Sequence, residues 1–479
     1  MKKSEEKNCK QQEESSDLKL GKSQKTFDDL SDQIEIIYGL EDKPPVRDAI
    51  FAALQHLLAI FVGIITPTLI IGGVLGLGEH IPYLISMSLI VSGVATFIQI
   101  KRIGPIGSGL LSIQGTSFAF LGAILSAGFM VKNAGGGPEE ILATIFGICF
   151  VGAFIEMFLS RFLHLLKKVI TPTVTGVVVT TIGLSLVKVG ITDMAGGQWL
   201  LDNKPDLFGT LSNLGLGFLV LVIIVIFNRS KNQFLRMSSI VIGLLIGYVI
   251  AIFMGQVNFS NLSSLPYVSI PIPFKFGFSF HWASFIPIAL IYVITAIESI
   301  GDLTATSMVS REPIEGDVYI KRIKAGVLGD GVNSALAATF NTFPNTTFSQ
   351  NNGVIQLTGV ASRYVGMYIA AFLVVLGLFP IIGGVFQQMP KPVLGGATLV
   401  MFGTVAAAGI KIIASHRIDR RAMMIMALSF GLGLGVMLVP DVLSKTPDVV
   451  QKIFGSPVST GGLTAIIANL VLPDPCKDK

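Results

Sequence analysis

From residue 49 to residue 473 the chain repeats one pattern: apolar runs of about 20 residues separated by short polar turns. Runs of that length are what a helix needs to cross a bilayer, so the repetition predicts many membrane-spanning helices. Composition agrees, since 51% of the residues are hydrophobic, only 14% are charged and the mean hydropathy is +0.71. Fourteen runs can be counted along the sequence. The expected fold class is therefore an all-α polytopic membrane protein with fourteen transmembrane segments. Residues 1–48 are polar and charged and contain no apolar core of a signal peptide. They read as a mostly disordered tail.

The basic residues test the count. With a cytoplasmic N-terminus, the cytoplasmic loops hold seventeen Lys and Arg, among them Lys101, Arg102, Arg161, Lys167, Lys168, Arg363, Arg417 and Arg421. The opposite loops hold seven, among them Lys132, Lys188, Lys391 and Lys452. That bias follows the positive-inside rule and places both termini in the cytoplasm. The net charge of +5 tracks these loops and gives no case for nucleic acid. Cys9, Cys149 and Cys476 are far apart and form neither a disulfide framework nor a metal-binding spacing.

One stretch departs from the apolar pattern. Asn341 to Gly359, NTFPNTTFSQNNGVIQLTG, is mostly polar or Gly yet sits at membrane depth. Pro344 forbids a regular helix through its front half, so Phe343 to Phe348 is expected to be extended, with a short helix from Asn351. Ser349 and Gln350 fall at that helix's N-terminus. Irregular backbone at this depth survives only where protein or a cavity satisfies it. A broken span whose half-helix faces the midplane is how secondary transporters build a substrate site. The other reading is a re-entrant or extramembrane loop. A similar interruption, GSGLLSIQGTSFAF, lies at Gly107 to Phe120. Pro172, Gly176 and Gly183 are echoed with the same spacings by Pro392, Gly396 and Gly403. The two echoes predict two seven-span halves, and an odd number of spans inverts the second copy.

Paired interruptions in matching halves point to a site between them. Its candidates are Thr116, Ser117, Phe118 and Ala119 in the third span, and Ser349, Gln350 and Asn351 in the tenth. Gln and Asn amides both donate and accept, and Phe118 offers an aromatic contact. Thr116 reads better as a group that satisfies broken backbone. A planar ligand with carbonyl and ring N–H groups suits such a set. Glu298, Asp302 and Asp330 are acids within spans, where insertion costs about 2.5–3.5 kcal/mol and function is the usual reason. His56, beside Gln55, lies in the first span. Glu156 lies near the end of the fourth and is expected to form a structural ion pair with Arg161. No Walker-type Gly-Lys-Ser/Thr motif, zinc spacing or nucleophile elbow is present. The chain is thus expected to be neither an ATP-driven pump nor an enzyme, with no cofactor and no metal.

QNNGVIQLTG at Gln350 to Gly359 resembles the signature of the nucleobase–ascorbate transporter family: Gln or Glu, Asn, any residue, Gly, four of any kind, Thr, then Arg, Lys or Gly. The LQH of the first span, the SIQGTSFAF of the third and the TAIESIGDLTATS of the eighth resemble that family in the same order. The likeness runs from about residue 36 to residue 473 and is strongest to bacterial xanthine permeases, purine–proton symporters of the inner membrane. It implies two inverted seven-span repeats with short antiparallel strands in spans 3 and 10. It also implies a core domain (49–160 and 282–388), a gate domain (161–281 and 389–473), a C-terminal tail (474–479) and a homodimer. By the same likeness, Glu298 and Gln350 hold the base through side chains, Phe118 and Ser349 through backbone, and Asn351 supports them. Asp302, Asp330 and His56 serve structure, proton coupling or gating. Gln350 favours xanthine or urate over uracil. Several xanthine-selective relatives have Asn where this chain has Ala119, which opens space and brings in urate. The same-class alternative is a uracil or broad nucleobase permease. An anion exchanger or channel of similar architecture is the alternative of another class, disfavoured by acids rather than cations near the half-helices.

Overall fold

The computed structural model describes residues 36–163 and 171–473, apart from 233, 234, 237, 260, 261, 264, 415–417, 448, 449, 452 and 453. Most of the polar N-terminal tail, the C-terminal tail, Cys9, Cys476, Lys167, Lys168, Arg417 and Lys452 therefore lie outside the described residues. The main elements are α1 (Val46–Leu75), α2 (Ile81–Lys101), β1 (Gln114–Thr116), α3 (Leu121–Asn133), α4 (Pro138–Leu159), α5 (Pro172–Met194), α6 (Leu211–Asn228) and α7 (Ser239–Phe253). The chain continues with α8 (Trp282–Val309), α9 (Gly316–Thr339), β2 (Asn345–Thr347), α10 (Gln350–Thr358), α11 (Arg363–Leu378), α12 (Pro380–Gln387), α13 (Lys391–Ala414), α14 (Arg420–Leu438) and α15 (Pro457–Val471). Among the described residues, eight helices are long and apolar enough to cross a membrane, or nine if α11 and α12 are one span bent by 74°. The bend falls at Pro380, which cannot supply the N–H that would continue α11.

The helices are apolar around most of their circumference, as buried spans are. Proline at the first helical position starts α4, α5 and α15, where its missing N–H costs nothing. Asp419 accepts a hydrogen bond from the Ala422 N–H (2.7 Å) and caps α14. Small residues let helices approach closely. α5 and α13 run antiparallel: Gly176 lies against Gly409 and Ile413, Gly183 against Ala406, Gly190 against Leu399. A Cβ on Gly183 would fall against the Ala406 main chain, whereas a Cβ on its echo, Gly403, would meet nothing within 4 Å. Gly183→Ala is thus expected to cost about 1–3 kcal/mol by overpacking, and Gly403→Ala to be tolerated. Melting of the two purified variants in detergent checks this; equal midpoints would refute the packing assignment.

The interrupted stretches meet. β1 and β2 pair antiparallel, with Gln114 opposite Thr347, Gly115 opposite Thr346 and Thr116 opposite Asn345. Beyond the strands the pairing continues, since Ser117 N–H donates to Pro344 O (2.9 Å) and Phe348 N–H to Ile113 O (2.9 Å). Each stretch satisfies the other's backbone at a depth where water does not. The turn before β1 needs glycine at 107, where φ is +98° and a Cβ would fall 2.9 Å from Gln99 O.

A short strap precedes α1. Ile37 and Tyr38 N–H donate to Gly359 O (2.8 and 3.1 Å), Ala361 N–H donates to Tyr38 O (2.9 Å) and Arg363 N–H to Leu40 O (3.1 Å). Arg363 also pairs with Glu41 at 2.6 Å. The Tyr38 hydroxyl donates to Asp48 (3.0 Å), and that carboxylate holds the phenol above the ordinary tyrosine value.

Candidate functional site

The crossing strands aim two half-helices at one place. α10 begins at Gln350, and Ser349 is its N-cap residue; both are exposed. α3 begins only at Leu121, later than the sequence suggested, because Phe118, Ala119 and Phe120 form a turn first, with Leu121 N–H donating to Phe118 O (3.1 Å). Phe118 and Gln350 line a cavity of about 300 Å³, at the small end of ligand pockets. Ala59, Val62 and Gly63 of α1 form one side of it. Ile240 and Val241 of α7 and Met401, Phe402, Thr404 and Val405 of α13 close the other. Phe118 meets Phe402 edge-on, with ring centroids 5.9 Å apart. Phe348 completes the wall and lies so close to α1 and β1 that a Cβ on Gly63 or Gly115 would come within 2.9 and 2.6 Å of its ring. The walls are mostly apolar and Gln350 supplies a bidentate-capable amide, a composition suited to a flat heterocycle.

Behind the cavity lies a buried polar layer. Asp330 is fully buried on α9. Its Oδ1 accepts from Gln99 Nε2 (3.1 Å) and Gln114 Nε2 (2.8 Å), and its Oδ2 accepts a short bond from the Ser299 hydroxyl. Asp330 therefore ties α9 to α2, β1 and α8. Asn351 donates from Nδ2 to Leu111 O in a short bond. His56 is fully buried, with its ring against the Asn351 side chain. Glu298 and Asp302 are half-buried on α8, one turn apart. α8 is joined to α10 by Thr306 and Asn352, whose side chains meet at 2.7 Å.

Some candidates sit elsewhere than the pattern suggested. Ala119 is 7% exposed and belongs to an apolar core cluster with Phe120, Phe343 and Tyr292. Ser349, Asn351 and Glu298 are not part of the cavity wall. The expected ion pair of Glu156 with Arg161 is not made. Glu156 is buried with Oε1 unpartnered, whereas Arg161 is exposed in the turn beyond α4. Glu156 instead lies within electrostatic range of Asp330 and Glu298. Thr116 is buried, with its hydroxyl unpartnered and its backbone paired to Asn345. The wall residues of α7 and α13 and Gln99 carried no distinguishing signal in the sequence, whereas Gln114 and Ser299 lie in stretches the sequence singled out, with no sign there that they meet Asp330.

A sequence profile described as a permease family matches residues 47–442. The xanthine permease XanP of Escherichia coli K12 is 49% identical over 441 residues, covering 92% of this chain and 95% of that protein. The chain belongs to the nucleobase–ascorbate transporter family. It is accordingly a multi-pass membrane transporter and not an enzyme. The xanthine permease XanQ of the same strain is 48% identical over 440 residues, covering 92% and 94% of the two chains. The fold is also that of the transmembrane domain of a cyanobacterial bicarbonate transporter, BicA. That structure matches 91% of this chain and all of its own with a TM-score of 0.59 at 15% identity, a likeness of architecture alone.

Proposed function

We propose that this protein is a proton-coupled symporter that takes up xanthine, with urate as a second substrate. The observation that carries the proposal is the cavity between the half-helix of Gln350 and the wall of α7 and α13, in a chain of this family. A purine fits the pairing of the Gln350 amide with the flat face of Phe118. Glu298 reads the ligand from α8 with Gln350, Ser349 and Asn351 hold the end of α10, and Asp302, Asp330 and His56 serve coupling or gating. Labelled xanthine accumulated by cells making the protein, displaced by unlabelled xanthine and indifferent to uracil, chloride and sulfate, tests the reading. Displacement by uracil would move it to a broad nucleobase permease, and by chloride or sulfate to an anion exchanger.

In this proposal fourteen segments cross the inner membrane: the eight long helices, the bent α11–α12 pair, the shorter α7 and α15, α9, and the half-helices α3 and α10 with their strands β1 and β2. They form two inverted repeats of seven, divided between core and gate domains, with both termini cytoplasmic and two chains per assembly. The antiparallel meetings of β1 with β2 and of α5 with α13 support an inverted relation, because corresponding elements of inverted halves run in opposite senses.

Coupling rests on intramembrane acids that have no basic side chain beside them among the described contacts. A protonophore is expected to collapse xanthine accumulation to the external level, and replacement of sodium by potassium to leave it unchanged. Sodium-dependent, protonophore-resistant uptake would overturn the coupling.

Urate recognition rests on Ala119, where several similar permeases resemble SIQGTSFNF. Ala119→Asn is expected to weaken urate inhibition more than xanthine inhibition, by about 1–3 kcal/mol of discrimination. If the ratio of the two inhibition constants does not move, Ala119 serves the core cluster around it and nothing else.

A further inference from the structure

α8 and α10 carry the two side chains proposed to read the ligand, yet only one side-chain hydrogen bond between these helices is found among the described residues. Thr306 Oγ1 lies 2.7 Å from Asn352 Oδ1, placed as its acceptor, and 2.8 Å from Asp302 O, one turn back on α8. Both residues are buried, at 3% and 8% exposure. Asn352 occupies the position of QNNGVIQLTG that the family signature leaves open. Its backbone N–H donates to Ser349 O (3.0 Å), so the side chain is fixed to the turn that starts α10.

The hydroxyl has one proton and two acceptors facing it. A helical threonine gives that proton to the carbonyl four residues back. The amide of Asn352 must then present its NH2 to Oγ1, an orientation set by the hydrogen-bond network rather than by the shape of the group. We infer that Thr306 and Asn352 are a positioning pair, in which the Asn352 amide, flipped so that its NH2 faces Oγ1, donates to the Thr306 hydroxyl and locks the start of α10 against the turn of α8 between Asp302 and Thr306. The pair touches no ligand. It sets the separation of Gln350 from Glu298 and hence which heterocycle the two can grip together. A site of opposed hydrogen-bonding groups loses discrimination when their separation drifts. The inference rests on the proposal that these helices hold the purine.

The test is a double-mutant cycle of Thr306→Val and Asn352→Ala in the full-length protein, read by xanthine uptake kinetics and by competition with hypoxanthine and urate. Each single variant is expected to raise KM for xanthine about tenfold at similar maximal rate per molecule in the membrane, and to narrow the preference for xanthine over hypoxanthine. The double variant is expected to be no worse than either single one. Thr306→Ser, which keeps the hydroxyl, is expected to restore wild-type KM. Asn352→Asp keeps the size of the side chain but loses the NH2, and is expected to behave like Asn352→Ala; it carries the test if the alanine variant fails to reach the membrane. Unchanged KM and selectivity in the single variants, multiplied effects in the double variant, or wild-type kinetics in Asn352→Asp would each overturn the pair. Gln350→Ala, measured alongside, separates the two levels: if it transports normally the site proposal fails, whereas if it is inactive and the pair variants are normal only the positioning fails.

Discussion

Gln350→Ala is expected to reach the membrane in normal amount and to take up xanthine at a small fraction of the wild-type rate, and Glu298→Ala to do the same. Gln350 is the cavity's one amide, on the first residue of α10, and its neighbours in the wall are almost all apolar. Truncating it removes a donor and an acceptor together and leaves the polar edge of a bound purine facing carbon. A hydrogen bond lost in this way costs about 1–3 kcal/mol, roughly a five- to 150-fold loss of affinity. Because Gln350 is exposed to the cavity and makes no side-chain hydrogen bond within the described protein, its loss leaves no buried group unpaired. Stability is therefore expected to stay near wild type, and transport alone to fall. Uptake assays beside quantified membrane expression decide it: near-normal transport in both alanine variants would remove these residues from the site.

Asp330→Ala is expected to have the opposite profile, with loss of folded protein coming before any statement about transport. The carboxylate accepts from Gln99, Gln114 and Ser299, which belong to three different elements. Its removal leaves buried donors facing a void. Gln99 keeps a bond to Gly326 O (3.2 Å), but no other bond is seen from the Gln114 and Ser299 donors. Each unsatisfied group costs about 1–3 kcal/mol, so the sum is comparable with a large part of a domain's stability of about 5–15 kcal/mol. Asp330→Asn keeps one carbonyl oxygen and is expected to fall between the two. Thermal unfolding in detergent, followed by the monodisperse fraction, reads this directly. A wild-type melting profile in Asp330→Ala would mean that the network contributes little to folding.

The interruptions were legible in the sequence because proline and glycine act locally. Pro344 and the glycines around 107 and 115 break their spans wherever the rest of the chain goes, and β1 and β2 lie where those breaks fall. The start of α10 was equally visible, from polar residues followed by the signature. The cavity's far wall was not. Ile240, Val241 and Met401 are ordinary apolar residues of spans, and nothing in their own neighbourhood marks them as facing Gln350. Of the partners of Asp330, Gln99 and Gln114 lie 231 and 216 residues away in sequence and Ser299 lies 31 away, all beyond any local pattern. Glu156 shows how nearness in sequence misleads. Arg161 is five positions on, which at 3.6 residues per turn points about 140° away, and α4 has already ended at Leu159. The acid is buried within electrostatic range of Asp330 and Glu298 on neighbouring helices, and the arginine is exposed.

The strap ahead of α1 fixes an address on the molecule. Because Ile37 and Tyr38 bond to Gly359 O at the end of α10, anything fused in front of residue 36 sets out from the far end of the half-helix that begins with Gln350. A fluorescent reporter joined there would start its path one short helix, nine residues long, from the cavity. A reporter on the other terminus would follow α15 instead. Of two otherwise equivalent labels, only the N-terminal one is thus tethered by backbone hydrogen bonds to the element that carries the proposed purine contact.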